Sequence, residues 1–276
     1  MSMFTPSKFA AFICLAIVSS PLWSHPGVDD LIHRLSHMIE HKPERYELYI
    51  RRGLAYSDNA QYQLALADYR KAAALSSPEA LDHDVGVVYY RMGELEQALR
   101  HFDAFLAQAP KSYPSYEYRA RVKRDMGDYH GAIADLTQYF RLNDSPNPGH
   151  YVSAADMLLE LEANGPESAL QLLDEGLEKI GVVPQLQRKA IAIERARGRK
   201  DLALERLQTL ESVLSSSPSW QLDMAELLID SKRHGEAANL LKTAQAKLEK
   251  LRSTPARIEL FKSIAALESR IKEENS

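Results

Sequence analysis

One cysteine, two tryptophans, twelve glycines and thirteen prolines are spread over 276 residues. Each shortage excludes something. A single cysteine forms neither an internal disulfide nor a thiolate zinc site. So little glycine and proline does not support a loop-rich all-β fold, and it favours helices. No charge of one sign dominates: 34 Lys and Arg stand against 38 Asp and Glu, and the sequence pI is near 6.2. That balance leaves no electrostatic footprint for nucleic acid. The apolar run from Phe9 to Val18 has ten residues, against the roughly 20 that a membrane-spanning helix needs. There is no phosphate-binding G-x-x-x-x-G-K-[ST] loop, no G-x-G-x-x-G and no G-x-S-x-G. With 45% hydrophobic and 26% charged residues, the chain has the composition of a soluble globular protein of one or two domains.

Residues 1–24 read in a recognisable order. Lys8 is the only charge before Asp29, the apolar run follows, and then come Ser19, Ser20, Pro21 and Ser24. A positive start, an apolar core and a small-residue end make a secretory signal peptide, cleaved after Ser24. Its removal takes Cys14 and Lys8 with it. The remaining 252 residues contain no cysteine and carry a net charge of −5, since only one basic residue is lost. Such a chain tolerates an oxidising compartment, and a periplasmic or secreted location in a bacterium is expected.

A repeat runs through most of the remainder. Ala65, Ala98, Ala132, Ala169, Ala203 and Ala237 align at intervals of 33, 34, 37, 34 and 34 residues. Four positions after each stands a large residue: Tyr69, Phe102, Leu136, Leu173, Leu207 and Leu241. Some twelve positions before stands a small or apolar one: Gly53, Gly86, Ala120, Met157, Ile191 and Ala225. Turn formers fall between, at Gly93, Gly127, Asn164-Gly165 and Gly198, and prolines close units at Pro78, Pro110, Pro146 and Pro218. The small residue and the aligned Ala are expected where two helices cross. The large residue, one turn later on the same face, would fill the gap to the next unit.

This pattern resembles the tetratricopeptide repeat, a helix–turn–helix unit of about 34 residues. Repeat two carries Gly86, Tyr89, Gly93, Ala98, Phe102 and Pro110 and is the best match; repeats four to six keep the period but lose the aromatics. The resemblance implies an all-α, right-handed α-solenoid of about six helical hairpins. The expected organisation is a signal peptide over 1–24 and a His-rich helix over 25–43. Regular repeats over 44–146, divergent repeats over 147–250 and a C-terminal capping helix over 251–276 follow. All thirteen tyrosines precede residue 152, and the turn-rich NDSPNPG at 143–149 is where a hinge would fall. In the last segment Ile258, Leu260, Phe261, Ile264, Leu267 and Ile271 recur at helical spacing. They suit a cap on the last repeat, or else a partner-binding helix.

Two sets of candidate functional residues stand out. The first helix places Val28, Leu31, Ile32, Leu35, Met38 and Ile39 on one stripe and His33, His37 and His41 on the other, with His25 just before it. Imidazoles spaced by four can chelate Zn²⁺ or Cu²⁺, although a solvated polar face is the plainer reading of them. His37-Met38-Ile39-Glu40-His41 also matches the H-x-x-E-H pattern of a metal-dependent hydrolase. Pro43 ends that helix at once, and no second domain remains to supply a third ligand and a cleft. An enzyme is therefore not expected, and no cofactor is required.

The second set follows from the resemblance, which implies that the first helix of each unit lines a concave groove for a peptide or a partner protein. Counted in register, the groove positions are His83, Tyr90, Arg91, Glu117, Arg121 and Arg124, with Arg188 and Arg195 in repeat five; Ile50, Leu54 and Val87 are apolar members. Arg91, Arg121 and Arg124 would suit an acidic ligand, unless they are paired with Glu117 and Asp125. Ile50 and Leu54 stand where a carboxylate clamp for chaperone tails needs Lys and Asn. The expected function is that of an exported scaffold for another envelope protein, with no membrane insertion after cleavage.

Overall fold

The computed structural model describes residues 26–76, 81–161 and 164–276. Expectations about residues 1–24, His25 and Pro78 lie outside that range. The described residues form fifteen helices and no strand. The chain divides into two compact units, Met1–Pro78 and Glu79–Ser276.

The first unit contains α1 (Pro26–His41), α2 (Tyr46–Asp58) and α3 (Tyr62–Ser76). The helices α2 and α3 are the hairpin of repeat one, and α1 packs on α2. Leu35 and Ile39 are the buried residues of α1, whereas Met38, expected on the same stripe, is exposed.

The second unit holds five hairpins. They are α4 (Leu81–Arg91) with α5 (Leu95–Gln108), and α6 (Tyr113–Asp125) with α7 (Tyr129–Leu142). Next come α8 (Pro148–Leu161) with α9 (Gly165–Ile180), and α10 (Pro184–Ala196) with α11 (Lys200–Thr209). After the short α12 (Glu211–Leu214), α13 (Pro218–Asp230) pairs with α14 (His234–Glu249), and α15 (Pro255–Glu274) follows. Each helix packs mainly on its neighbours in chain order, the one-dimensional contact pattern of a solenoid.

The sequence register is the packing register. All six aligned alanines have no exposed surface, and all six large residues are buried. The small and large positions lie sixteen residues apart in every unit, and where they are Gly and an aromatic they touch. A Cβ on Gly53 would stand 2.6 Å from Tyr69 Cε1, and one on Gly86 would stand 3.0 Å from Phe102 Cε1. Size is traded across the hairpin: Gly faces Tyr or Phe, while Ala, Met or Ile faces Leu. The large residue was expected to fill the gap to the next unit. Phe102 does this, stacking on Tyr118 of α6 at 5.8 Å, but it also closes its own hairpin.

The turns within hairpins share one geometry. Seven residues after the small position, Ala60, Gly93, Gly127, Gly198 and Lys232 all have positive φ, between 56° and 82°. The next amide donates back to the carbonyl five residues earlier, as Glu94 N to Tyr89 O at 2.9 Å and Arg233 N to Leu228 O at 2.8 Å. This is a Schellman C-cap, which favours glycine. Proline works differently from expectation at Pro218. It is the first residue of α13, as Pro148, Pro184 and Pro255 are of α8, α10 and α15. The missing N–H costs nothing at a helix start.

The segment between α7 and α8 is tied down. Asn147 N donates to Tyr139 Oη at 3.1 Å, and Ser145 N to Asn143 Oδ1 at 3.0 Å. The last helix caps repeat six with Ile264 and Ile271, while Ile258 and Phe261 stay exposed. Arg270 holds Asp230 at 2.6 Å, and Lys232 holds Glu274 at 3.0 Å. Among the described residues no helix is long and apolar enough to cross a membrane.

Candidate functional site

The first helices of repeats two to six form a row in the second unit, and their predicted groove residues reach from one helix to the next. His83 Nδ1 lies 2.8 Å from Ser115 Oγ, with its ring among Phe102, Phe105 and Tyr118. Burial there lowers its pKa. Tyr90 Oη donates to Asp125 at 2.9 Å. Glu117 accepts from Arg121 and lies 3.1 Å from His150 Nε2 on α8. The His150 contact, with Arg121, holds the Glu117 carboxyl below its usual range. The Arg121 guanidinium lies over the Tyr118 ring at 5.2 Å. Arg124 bonds Asp125 beside it at 2.9 Å, and Arg91 is the exposed last residue of α4. In repeats two and three, therefore, Tyr90, Glu117, Arg121 and Arg124 have partners within the fold. Arg121 and Arg124 are paired with the two acids that the sequence had offered as alternatives to a ligand.

Repeats five and six use the same face differently. Arg195 contacts Glu226 at 3.1 Å and Asp230 at 3.8 Å. It thereby repeats the reach of Tyr90 to Asp125, 35 residues on. Arg188, seven residues earlier, forms no hydrogen bond or ion pair among the described residues. It stands with Arg195 at the rim of a cavity of about 410 Å³ between α10, α11 and α13. The floor is apolar, formed by Ile191, Ala192, Leu207 and Leu227. Asp223 closes the far rim. Desolvation raises its carboxyl pKa, and Arg188 nearby opposes the rise. The sequence placed Arg188 and Arg195 in register; Asp223 and the apolar floor were missed, because nothing in one repeat shows which residue of the next faces it.

A second omission is structural. Arg52 bonds Asp68 through two nitrogens at 2.7 and 2.8 Å and reaches Ser36 of α1 at 3.0 Å. Arg119 does the same to Asp135 at 2.8 and 2.6 Å and reaches Asp103 at 2.7 Å. Both pairs span sixteen residues, one position before the small–large register, so the signal was present in the sequence. Asp68 and Asp135 are buried, which makes these clamps part of the core and excludes them as ligand contacts.

On α1, His37 and His41 pack edge to face at 4.6 Å between centroids. His33, His37 and His41 are exposed. Among the described residues no three His, Cys, Asp or Glu side chains come together in a way that could hold a metal ion. Glu40 of the H-x-x-E-H segment is exposed on a helix that ends at His41.

Comparisons with known proteins agree with the geometry. A family model described as tetratricopeptide repeat matches residues 46–78, the first hairpin. No curated protein matches the sequence. The C-terminal part of a TPR repeat-containing protein from Cytophaga hutchinsonii is structurally similar, with a TM-score of 0.65 at 14% identity. The match covers 85% of this chain and 94% of that one. The pilF protein of Pseudomonas aeruginosa has a TM-score of 0.53 at 19% identity, covering 73% and 90% respectively. A tetratricopeptide repeat protein from Parabacteroides merdae has a TM-score of 0.50 at 14% identity, covering 87% and 93%. Six buried hairpin registers, five shared turns and these neighbours show that the described residues have the all-α helical-hairpin fold of tetratricopeptide-repeat proteins, and residues 46–78 match that family's model.

Proposed function

We propose that the protein is a non-catalytic scaffold, exported through residues 1–24, that binds a partner protein on the row of first helices in its second unit. The observation that carries this reading is the cavity between α10 and α13. It joins an apolar floor, suited to an anchoring side chain, to an arginine and a carboxylate without hydrogen-bond or ion-pair partners among the described residues. Apolar burial supplies affinity and placed polar groups supply orientation, the usual division in a binding site. The order of charge, apolar run and small residues in 1–24 supports export.

The test is capture from a cell-envelope extract with the full chain as bait. Wild-type protein is expected to retain a defined partner, and Arg188→Glu combined with Ala192→Asp, both outside the buried core, to lose it while still folding. Retention by the double variant overturns the placement of the site. Amino-terminal sequencing of the mature protein tests export, with a start immediately after Ser24 as the expected result.

A further inference from the structure

The capping helix α15 has two faces, and only one of them packs. At about 100° per residue, Leu260, Ile264, Leu267 and Ile271 share the side that meets repeat six. Ile258, Phe261, Lys262, Ala265, Ser269 and Lys272 share the other side, and all six are exposed. Ile258 and Phe261 keep 48% and 36% of their surface open to solvent. The acids Glu259, Glu268 and Glu273 fall to the sides of this outer stripe. The corner before the helix continues the pattern. Leu251 is 44% exposed and stands between the exposed Lys250 and Arg252. Arg257 donates to the Arg252 carbonyl, and Thr254 Oγ1 accepts from Arg257 N at 3.3 Å. The corner is thereby fixed against the first turn of α15. Residues 247–262 hold five cations and two acids, a net +3 within a chain whose net charge is −4.

Size and charge narrow the occupant. From Ile258 to Lys272 the stripe is about 21 Å long and about 10 Å wide. Two copies paired on it would bury about 400 Å² in all, well short of the roughly 1,200 Å² of a stable interface. A second copy is therefore a poor fit. A bilayer surface yields around protruding side chains and needs no matching shape. Bulky apolar side chains enter the boundary between headgroups and acyl chains, and cations among them meet the phosphates. The long stems of Lys250, Arg252 and Lys262 can lie along the apolar level with their charged ends above it. Lys262 pairs with Glu259 at 2.8 Å, but both are well exposed, and such a pair holds its cation weakly.

We propose that the outer face of α15, with the corner between α14 and α15, seats the protein on an anionic phospholipid surface. Leu251, Ile258 and Phe261 enter the boundary. Lys250, Arg252, Lys262 and Lys272 take the lipid phosphates. The helix lies along the surface without crossing it, because its packed side stays on repeat six. The cavity beside α10 uses none of these residues, so the two surfaces are independent. The cap thus has a function of its own besides covering the last repeat.

Residues 1–24 carry an apolar run of their own, so the readout is placed on α15. Phe261→Trp in the full chain reports the polarity around that position, once the wild-type spectrum of Trp23 and Trp220 is subtracted. Phosphatidylcholine vesicles with about 30% phosphatidylglycerol supply the anionic surface, and pure phosphatidylcholine the neutral one. The added emission is expected to shift to the blue on anionic vesicles, half-saturating at about tenfold less lipid than on neutral ones. Salt at about 1 M, which cuts the reach of charges to about 3 Å, is expected to abolish that difference. Lys250→Glu combined with Arg252→Glu and Lys262→Glu is expected to do the same, with an unchanged thermal melt. No shift on anionic vesicles, an equal shift on neutral ones, or an undiminished shift in the triple variant overturns the proposal. A shift that grows with protein concentration in the absence of vesicles also overturns it, and assigns the face to a second copy.

Discussion

Repeats two and three and repeats five and six share a register and differ in what fills it. In the first pair Gly86 lies under Phe102, Ala120 and Leu136 hold the same places in repeat three, and the aromatics His83, Tyr90 and Tyr118 are layered between units. In the second pair Ile191 faces Leu207 and Ala225 faces Leu241, all buried aliphatics. The polar face follows the same division. Where aromatics fill the junction, the groove residues bond across it and little remains for a ligand. Where aliphatics fill it, the junction leaves a cavity, and Arg188 and Asp223 stand beside it without a hydrogen bond or close ion pair among the described residues. A repeat register thus specifies where a binding face lies, and the choice of side chains between units decides whether that face is open.

The largest test of this contrast is the clamp that holds the aromatic half together. Asp135 is buried and answers both Arg119 and Lys123, the latter at 2.8 Å. Asp135→Ala leaves two cations facing an apolar junction and is expected to cost about 3 kcal/mol or more in urea denaturation. The aliphatic half has no aspartate at the equivalent place, where Arg206 and Leu240 stand.

Asp84 gives an effect of similar size and opposite sign. Burial pushes its carboxyl up to about 6 from 3.8. The folded state therefore binds a proton more readily than the unfolded one, and stability falls as pH rises from about 4 to 6. Asp84→Asn is expected to stabilise the protein at pH 7 by up to about 3 kcal/mol, since one pKa unit is worth about 1.4 kcal/mol. Comparison of denaturation at pH 5 and pH 7 reads it directly. His83 works in the opposite direction: burial lowers its pKa, so its contribution is complete at neutral pH and is lost as pH falls below about 6.5. In His83→Gln the acid-side loss is expected to shrink.

Next in size is the hairpin seam. Gly86→Ala brings a Cβ to 3.0 Å from Phe102 and is expected to cost about 1–3 kcal/mol through overpacking. Adding Phe102→Leu converts the pair to the Ala–Leu form of repeats three and six. A double-mutant cycle is expected to show a favourable coupling of about 1 kcal/mol. Additive losses would mean that the trade of size across the hairpin is not a pairwise rule. The smallest effect belongs to the turns. Ala60 and Lys232 hold left-handed backbone where three other repeats have Gly, so Ala60→Gly and Lys232→Gly are each expected to gain about 1 kcal/mol or less. A thermal melt measures that gain. Arg188→Ala, at the open face, is expected to change stability by no more than about 0.5 kcal/mol.

Most of the fold was legible because its signal is periodic. Six alanines in phase, a large residue four positions on and a glycine seven positions after the small one each reappear as buried contacts or positive-φ turns. The site was legible in part. Register put Arg188, Arg195, Arg121 and Arg124 on the row of first helices, but only the structure separates them. The difference lies in contacts some 30 residues apart, such as Tyr90 with Asp125 and Glu117 with His150. The clamps at Arg52–Asp68 and Arg119–Asp135 were visible as a sixteen-residue spacing. The spacing alone does not show that the two side chains meet, because Arg52 and Arg119 reach their aspartates only once the hairpin closes. The family model, for its part, matched repeat one, although repeat two carries more of the expected residues.

One of the core ion pairs occurs twice with its polarity reversed. In repeat three Lys123 on the first helix faces Asp135 on the second at 2.8 Å. In repeat five, at the same register places, Glu194 on the first helix faces Arg206 on the second at 3.7 Å. Chains built from similar hairpins are prone to docking the wrong halves together while they fold. Here an outer helix of repeat five that lands on the inner helix of repeat three sets Arg206 against Lys123. The reciprocal error sets Asp135 against Glu194. Each mistake buries like charges and leaves both without their partners. The reversed pair thus distinguishes two otherwise equivalent hairpins by the sign of the charge at matching places.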